Sequence, residues 1–361
     1  ATPEALRDAA IKGIFDSLDP HSSYIDPESY ALARDDFEGL GSFEGIGATV
    51  SKEGDWVVIA QPLPNTPAER AGVKVGDQVL EVDGQSAEGW SVQLAVTKIR
   101  GPIGTSVTIK VRHRDGTVET FKITRDKIAV ESVSRLPLLG GVLRDAAGEE
   151  VKDLAYVRIR SFSRTTPQEL EKALKDVNGS GAKGIILDLR SNPGGLLQET
   201  VQVADMFLDK GQIFFQQDRD GAESGAIARP GHSTELPIVI LQDEFSASGA
   251  ELLAGALQEN GRAKVVGTRS FGKGTVNHAR DLSNGGALYV SIGRWLTPKH
   301  NQIEGRGIIP DYEVTMTLEE IEARKDIPAA RAIDMLRGNP LPPPTRATPT
   351  ATPTATGTPH R

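Results

Sequence analysis

Apolar residues recur at helical spacing near the start of the chain, at Leu6, Ala10, Ile14 and Leu18, and the run stops at Asp19-Pro20. This predicts a helix over residues 3–18, with a second short helix from Pro27 to Phe37. From Gly41 to Lys127 the texture changes to short alternating runs broken by turns. Strands are predicted at Ala48–Val50, Trp56–Ala60, Gln78–Val82, Val107–Arg112 and Thr120–Ile123, with helices at Pro67–Ala71 and Ser91–Ile99. Val82-Asp83-Gly84 and Arg114-Asp115-Gly116 carry hairpin-turn chemistry.

Beyond Lys127 strands alternate with helices. Strands are predicted at Leu154–Ile159, Gly184–Leu189, Gln212–Phe215, Ile238–Leu241, Lys264–Val266 and Ala287–Ile292. Helices fall at Thr166–Val177, Leu196–Phe207 and Gly249–Glu259. A continuous apolar run such as Gly184-Ile185-Ile186-Leu187 suits a largely parallel sheet covered on both faces. From Gly338 onward Pro, Thr and Ala dominate, a composition that predicts a disordered tail over 338–361.

Composition narrows the chemistry. With 361 residues the chain has room for two or three domains. Hydrophobic residues at 38% and charged residues at 25% are those of a globular protein able to build a core. A net charge of -8 argues against nucleic acid as the main partner. The chain has no cysteine, which excludes disulfides, thiolate metal sites and cysteine nucleophiles. No apolar run reaches the roughly 18 residues that span a bilayer, and the first residues lack the features of a signal peptide.

Three segments carry candidate chemistry. In Phe245-Ser246-Ala247-Ser248-Gly249-Ala250-Glu251, an apolar strand turns into a small-residue helix. A serine at that corner exposes its hydroxyl, and the Gly249 N–H at the helix start can stabilise an oxyanion. The same letters, Ser248-x-x-Glu251, spell a capping box, with Ser246 as an alternative cap that leaves Ser248 free. The second segment, Gly267 to Val276, nearly reads as a phosphate loop. Gly274 stands where that loop needs Ser or Thr, and no helix opening follows. Lys273 between two glycines can instead be buried and act as a base, or be a solvated turn lysine. In the third, Asp188-Leu189-Arg190-Ser191-Asn192-Pro193-Gly194-Gly195-Leu196, a buried strand ends in a turn whose N–H groups are open to a substrate or simply connect strand to helix. Of the six histidines none sits in a Gly-x-Ser-x-Gly elbow. His113 beside a turn, His232 in a glycine-rich loop and His360 in the tail are set aside; His278 is kept as a neighbour of Lys273.

Taken together and in this order, the segments resemble the carboxyl-terminal processing proteases, serine endopeptidases with a Ser-Lys dyad and an embedded PDZ domain. The resemblance spans about residues 4–315. Leu18-Asp19-Pro20-His21-Ser22-Ser23-Tyr24, Phe43-Glu44-Gly45-Ile46-Gly47-Ala48, the run from Pro67 to Asp77 and the turn Ile99 to Thr105 are similar to its N-terminal and PDZ segments. Asp188 to Leu196, Ser246-Ala247-Ser248, Phe271 to Val276 and Gly307-Ile308-Ile309-Pro310-Asp311 are similar to its protease motifs.

The resemblance implies an α/β core of crotonase/ClpP-like type, an embedded β-rich PDZ domain and an N-terminal helical segment. The expected limits are 1–39 for the helical segment, 40–127 for the PDZ domain, 128–337 for the protease core and 338–361 for the tail. It implies Ser248 as nucleophile and Lys273 as general base, with Gly194, Gly195 and Gly249 forming the oxyanion hole. Asn277 stands where the family usually has a Gln that orients the lysine, and it is one methylene shorter. Gly45, Ile46, Gly47 and Arg100 are implied to bind a substrate C-terminus. No metal or organic cofactor is implied. Expected partners are protein or peptide substrates with free C-termini, and a homo-oligomer is compatible. The implied location is extracytoplasmic in a bacterium. The alternatives at this point are an inactive PDZ scaffold, an acyl-CoA enzyme on the same core, and a Ser-His enzyme using His278.

Overall fold

The computed structural model describes residues 2–344 except 20, 28, 31–38, 40, 41, 64, 130, 139, 140, 318, 321, 322 and 324. Most of the expected helix over 27–37 and residues 345–361 of the expected tail lie outside the described residues. The chain divides into two units: Ala1–Glu131 with His278–Val290, and Ser132–Asn277 with Ser291–Arg361.

In the first unit the helix Pro3–Asp16 forms, and the apolar positions Leu6, Ile14 and Leu18 of this segment stay exposed. Strand Ser23–Ile25 pairs antiparallel with Ala287, Leu288 and Tyr289. The body of the unit is a sheet in the order Ala48–Glu53, Trp56–Pro62, Gln78–Val82, Ser106–Arg112, Val118–Thr124. Ser106–Arg112 and Val118–Thr124 put alternate residues inward, and Ile59, Val79, Val82, Ile109, Val111, Phe121 and Ile123 share one core. Asp83 and Gly84 both take positive φ, 47° and 77°, the turn that joins Gln78–Val82 to Gln85–Ser86. A strand pair not expected from the pattern, Ser42–Gly45 with Asp126–Ala129, ties the ends of this segment together.

The second unit is a mixed α/β core. Its main sheet runs in the order Val133–Ser134, Ala155–Ile159, Ile185–Asp188, Ile238–Gln242, Ala263–Gly267, Tyr312–Glu313. All pairings are parallel except the first. Both faces are covered, which is why these strands read as unbroken apolar runs. Val157, Ile185, Leu187, Ile240 and Val265 pack with helices Thr166–Gly179, Leu197–Asp205 and Gly249–Glu259. Tyr156, Ile186, Val239, Leu241 and Val266 pack with a helix absent from the sequence reading, Ile327–Arg337, through Ala329, Ala332 and Ile333. Beside this sheet, Gln212–Gln217 pairs with Glu223–Ile227 and with Arg294–Leu296. No helix of the described residues is long and apolar enough to cross a membrane.

His113, set aside as a turn histidine, is in fact only 8% exposed and joins the buried Asp77 to the exposed Glu119. Its Nδ1 lies 2.7 Å from Asp77 Oδ1 and its Nε2 3.1 Å from Glu119 Oε2. The bond to Asp77, and then that to Glu119, raises the imidazole pKa above its ordinary value. A raised folded-state pKa gives stability that is fully present below the unfolded value, about 6.5, and lost as pH rises through the folded one. Thermal melts of the wild type should therefore lose stability relative to His113→Gln as pH rises from about 6.5. Parallel curves for the two proteins would exclude this.

Candidate active site

The strand Ile238–Gln242 leaves the sheet, and the next residues are pinned one by one. Ser246 is 1% exposed, and its hydroxyl donates to Leu189 O at 2.9 Å and accepts the Asp243 N–H. It is therefore not the alternative cap, because the Leu189 carbonyl at the end of the neighbouring strand has captured it. Ala247 N–H donates to Asn192 O at 2.9 Å. Ser248 then takes φ 54° and ψ -114°, a backbone conformation that costs a non-glycine residue about 1–3 kcal/mol. The helix Gly249–Glu259 starts at the next residue, so Ser248 stands at a sharp strand-to-helix corner.

Glu251 holds this corner. Its side chain is fully buried and accepts four hydrogen bonds. Oε1 receives Ser270 Oγ–H and Gly272 N–H, both at 2.6 Å, while Oε2 receives Ser248 N–H at 2.8 Å and Lys273 N–H at 2.9 Å. One oxygen thus grips the backbones of both Ser248 and Lys273 and sets them side by side. Both halves of the capping box are in place: Ser248 N–H donates to Glu251 at 2.8 Å, and the Ser248 side chain faces the Glu251 N–H, though outside ordinary hydrogen-bond geometry. Burial pushes the Glu251 carboxyl pKa up, and the bonds from Ser270, Gly272, Ser248 and Lys273 pull it back.

The lysine segment runs as a loop into the strand Thr275–Asp281, not into a helix, which removes the phosphate-loop reading. Lys273 is half-buried. Burial pulls its pKa below the ordinary lysine value, and Glu304 and then Glu251 oppose the change. In the amide of Asn277, Oδ1 accepts Thr275 Oγ1–H at 2.8 Å and Nδ2 donates to Ser291 Oγ at 3.1 Å. His278, in the same strand, is exposed.

The glycine turn comes against the serine from the other side. Gly194 (φ 100°) and Gly195 (φ 147°) use backbone conformations that favour glycine. A Cβ on Gly194 would stand 2.7 Å from Ser248 Cβ and 2.8 Å from Gly249 N. Asn192, fully buried, fixes the turn: Nδ2 donates to Ile159 O and Oδ1 accepts the Gly194 N–H at 2.8 Å. Gly195 and Gly249 N–H groups have no hydrogen-bond acceptor among the described residues.

The start of that motif does different work. Asp188 accepts from Tyr156 Oη and from Arg190 Nε and Nη2. Arg190 reaches on to Asp326 with two bonds of 2.8 Å, and Asp326 caps the helix Ile327–Arg337 through Ala329 N–H. Asp188 and Arg190 are buried, so the pair locks strand ends to the helix on the far face. Asp311, in the closing motif, likewise accepts from Gln258 Nε2, Lys264 Nζ and Val265 N–H.

In the first unit, Gly45 ends the strand Ser42–Gly45, and Ile46 is buried with its carbonyl accepting Ala68 N–H. The Gly47 carbonyl accepts Leu63 N–H and Thr66 Oγ1–H. Ile46 and Gly47 N–H groups meet no acceptor among the described residues. Arg100, the residue after the helix Val92–Ile99, lays its guanidinium 4.5 Å from the centre of the Phe43 ring and its Cγ close to Gly45. The four predicted residues therefore lie together. Among the described residues no group of acidic or histidine side chains is arranged to hold a metal.

The chain is similar to known proteins in sequence and in fold. The model of peptidase family S41 matches residues 153–314, and that of the PDZ domain matches residues 40–112. Carboxy-terminal processing protease CtpA of Bacillus subtilis is 36% identical over 317 residues, covering 87% of this chain and 65% of the relative. The carboxy-terminal-processing protease of Bartonella bacilliformis is 38% identical over 325 residues, covering 88% of this chain and 71% of the relative. The solved structure of a photosystem II D1 C-terminal processing protease superposes with a TM-score of 0.54 at 29% identity, covering 86% of this chain and 82% of that one. The fold and site thus define a peptidase of family S41 with a PDZ domain. Within that class, the chain belongs to the carboxy-terminal processing proteases.

In the sequence Glu251 reads only as a cap partner, and Asn192, Ser270 and Glu304 carry no signal of their own. Glu251→Gln leaves a buried amide facing N–H and O–H donors. It should lower unfolding free energy by about 2–4 kcal/mol, against about 1 kcal/mol for Ser270→Ala. Urea denaturation measures both, and a Glu251→Gln variant as stable as wild type contradicts the assignment.

Proposed function

We propose that this chain is a serine endopeptidase that cleaves proteins recognised by a free C-terminus, with Ser248 as nucleophile and Lys273 as general base. The observation that carries this reading is the shared Glu251 oxygen, which aligns the two backbones at a strained strand-to-helix corner. Burial of Lys273 favours the neutral amine that a base requires. Neutral Lys273 takes the Ser248 proton as the hydroxyl oxygen attacks the peptide carbonyl. The tetrahedral oxyanion is held by the N–H groups of Gly195 and Gly249, which are without acceptors among the described residues. Gly194 contributes space, since its own N–H is committed to Asn192. The lysine then protonates the leaving amine, and water releases the acyl group from Ser248. Asn277 orients the lysine from a position fixed by Thr275 and Ser291.

The PDZ domain, assigned to residues 40–127, takes the substrate C-terminus as an added strand. The Ile46 and Gly47 N–H groups receive the terminal carboxylate, and Arg100 senses it. The core is assigned to 128–337 and the tail to 338–361. An extracytoplasmic bacterial location, and assembly with further copies of the chain, accord with family membership.

Cleavage of an apolar-tailed peptide should fall by about 10³-fold or more in Ser248→Ala and in Lys273→Ala. Amidation of the peptide C-terminus should raise KM for the wild type. Full activity of Lys273→Ala removes the base assignment, and equal KM for free and amidated peptides removes the PDZ assignment.

A further inference from the structure

Lys273 is flanked by a second acid that the proposed reaction leaves unused. Glu304 Oε2 accepts Gly274 N–H at 2.8 Å, one residue beyond the lysine, while Glu251 takes the N–H groups of Lys273 and Gly272. The approach is close because the neighbours of Lys273 are glycines. A Cβ on Gly274 would stand 2.2 Å from Glu304 N, and one on Gly272 3.2 Å from Gly307 N. Gly305 N–H also donates to Gly272 O at 2.9 Å. The segment 304–307 is thereby laid flat against the lysine loop, and no side chain of Gly272 or Gly274 can separate the Glu304 carboxylate from it. Trp295 N–H, donating to Gly274 O at 2.7 Å, fixes the strand edge beside it.

The two acids are not equivalent. Glu251 is fully buried and its charge is met by four donors on both oxygens, so little of its field is left over. Glu304 is only half-buried, its carboxylate accepts the N–H of the residue next to Lys273, and its negative charge favours the charged amine. Of the charges that act on Lys273, Glu304 comes before Glu251, and both favour the ammonium form against the effect of burial.

We propose that Glu304 is a positioning residue for Lys273, its carboxylate held against the lysine loop through Gly274 so that it opposes the effect of burial on the amine. This rests on Lys273 being the base, but the two ideas fail separately. In Glu304→Gln the amide oxygen can still accept Gly274 N–H while the charge is gone. Removing a nearby negative charge disfavours the ammonium, so the neutral amine forms at lower pH. The acid limb of the kcat/KM profile should slide to lower pH, with a several-fold gain in rate on that limb.

A readout independent of catalysis is the pH dependence of Lys273 acylation by an amine-selective ester, followed by peptide mass spectrometry. Its midpoint should fall in Glu304→Gln. A midpoint and acid limb both at the wild-type pH, in a variant that melts like the wild type, overturn the proposal. If Lys273→Ala stays active while the midpoint still falls, the base reading fails and the Glu304 effect stands. Should Glu304→Gln not fold, the wild type decides. Salt screens the partly exposed acid, so the acylation midpoint should fall between about 0.05 M and 1 M salt. A midpoint that does not move with salt overturns the proposal.

Discussion

A single buried carboxylate organises the protease core. Glu251 lies at the start of a helix with no exposed surface, where an unpaired negative charge would be severely destabilising. Its four donors come from Ser248, Ser270, Gly272 and Lys273, which belong to two segments of the chain. Satisfying the charge and assembling the candidate site are therefore one event. Ser270 extends the link, since its hydroxyl also accepts Ile308 N–H at 2.6 Å and so draws in the closing motif. The strained backbone of Ser248 is sustained by the same contacts.

Around that centre the motifs divide into parts that hold and parts that could react. Asp188 and Arg190, with Tyr156 and Asp326, bind the strand ends to the helix Ile327–Arg337. Asn192 and Ser246 then lock the glycine turn and the serine loop to each other through Leu189 and Ala247. Gly194 lies against the Ser248 side chain, and the N–H groups of Gly195 and Gly249 have no acceptor among the described residues.

Much of this fold is legible where local signals and burial agree. The helices Pro67–Ala71 and Gly249–Glu259 and the strand Gln78–Val82 have the limits that pattern alone predicts. The core strands are readable because burial on both faces leaves unbroken apolar runs. The pairing of Ser42–Gly45 with Asp126–Ala129 is not, because its partners are far apart in sequence and neither is strongly alternating. The helix Ile327–Arg337 escapes because alanines make up much of its buried face, although Asp326 before Ile-Pro is a legible cap. In the site, Ser248 and Lys273 are visible as letters in motifs, whereas Glu251 is fully explained by its own helix until the fold brings Ser270, Gly272 and Lys273 to it. The histidines show the converse: His113 looks like a turn residue and is buried by Asp77, a contact across the sheet.

The central claim is that this geometry makes Ser248 a nucleophile driven by Lys273. Labelling with a fluorophosphonate, read by peptide mass spectrometry, tests it most directly. A single modified serine, Ser248, is expected, with loss of labelling when Lys273 is replaced by Ala in a folded protein. Label on a different serine, or undiminished labelling of Ser248 without Lys273, would contradict it.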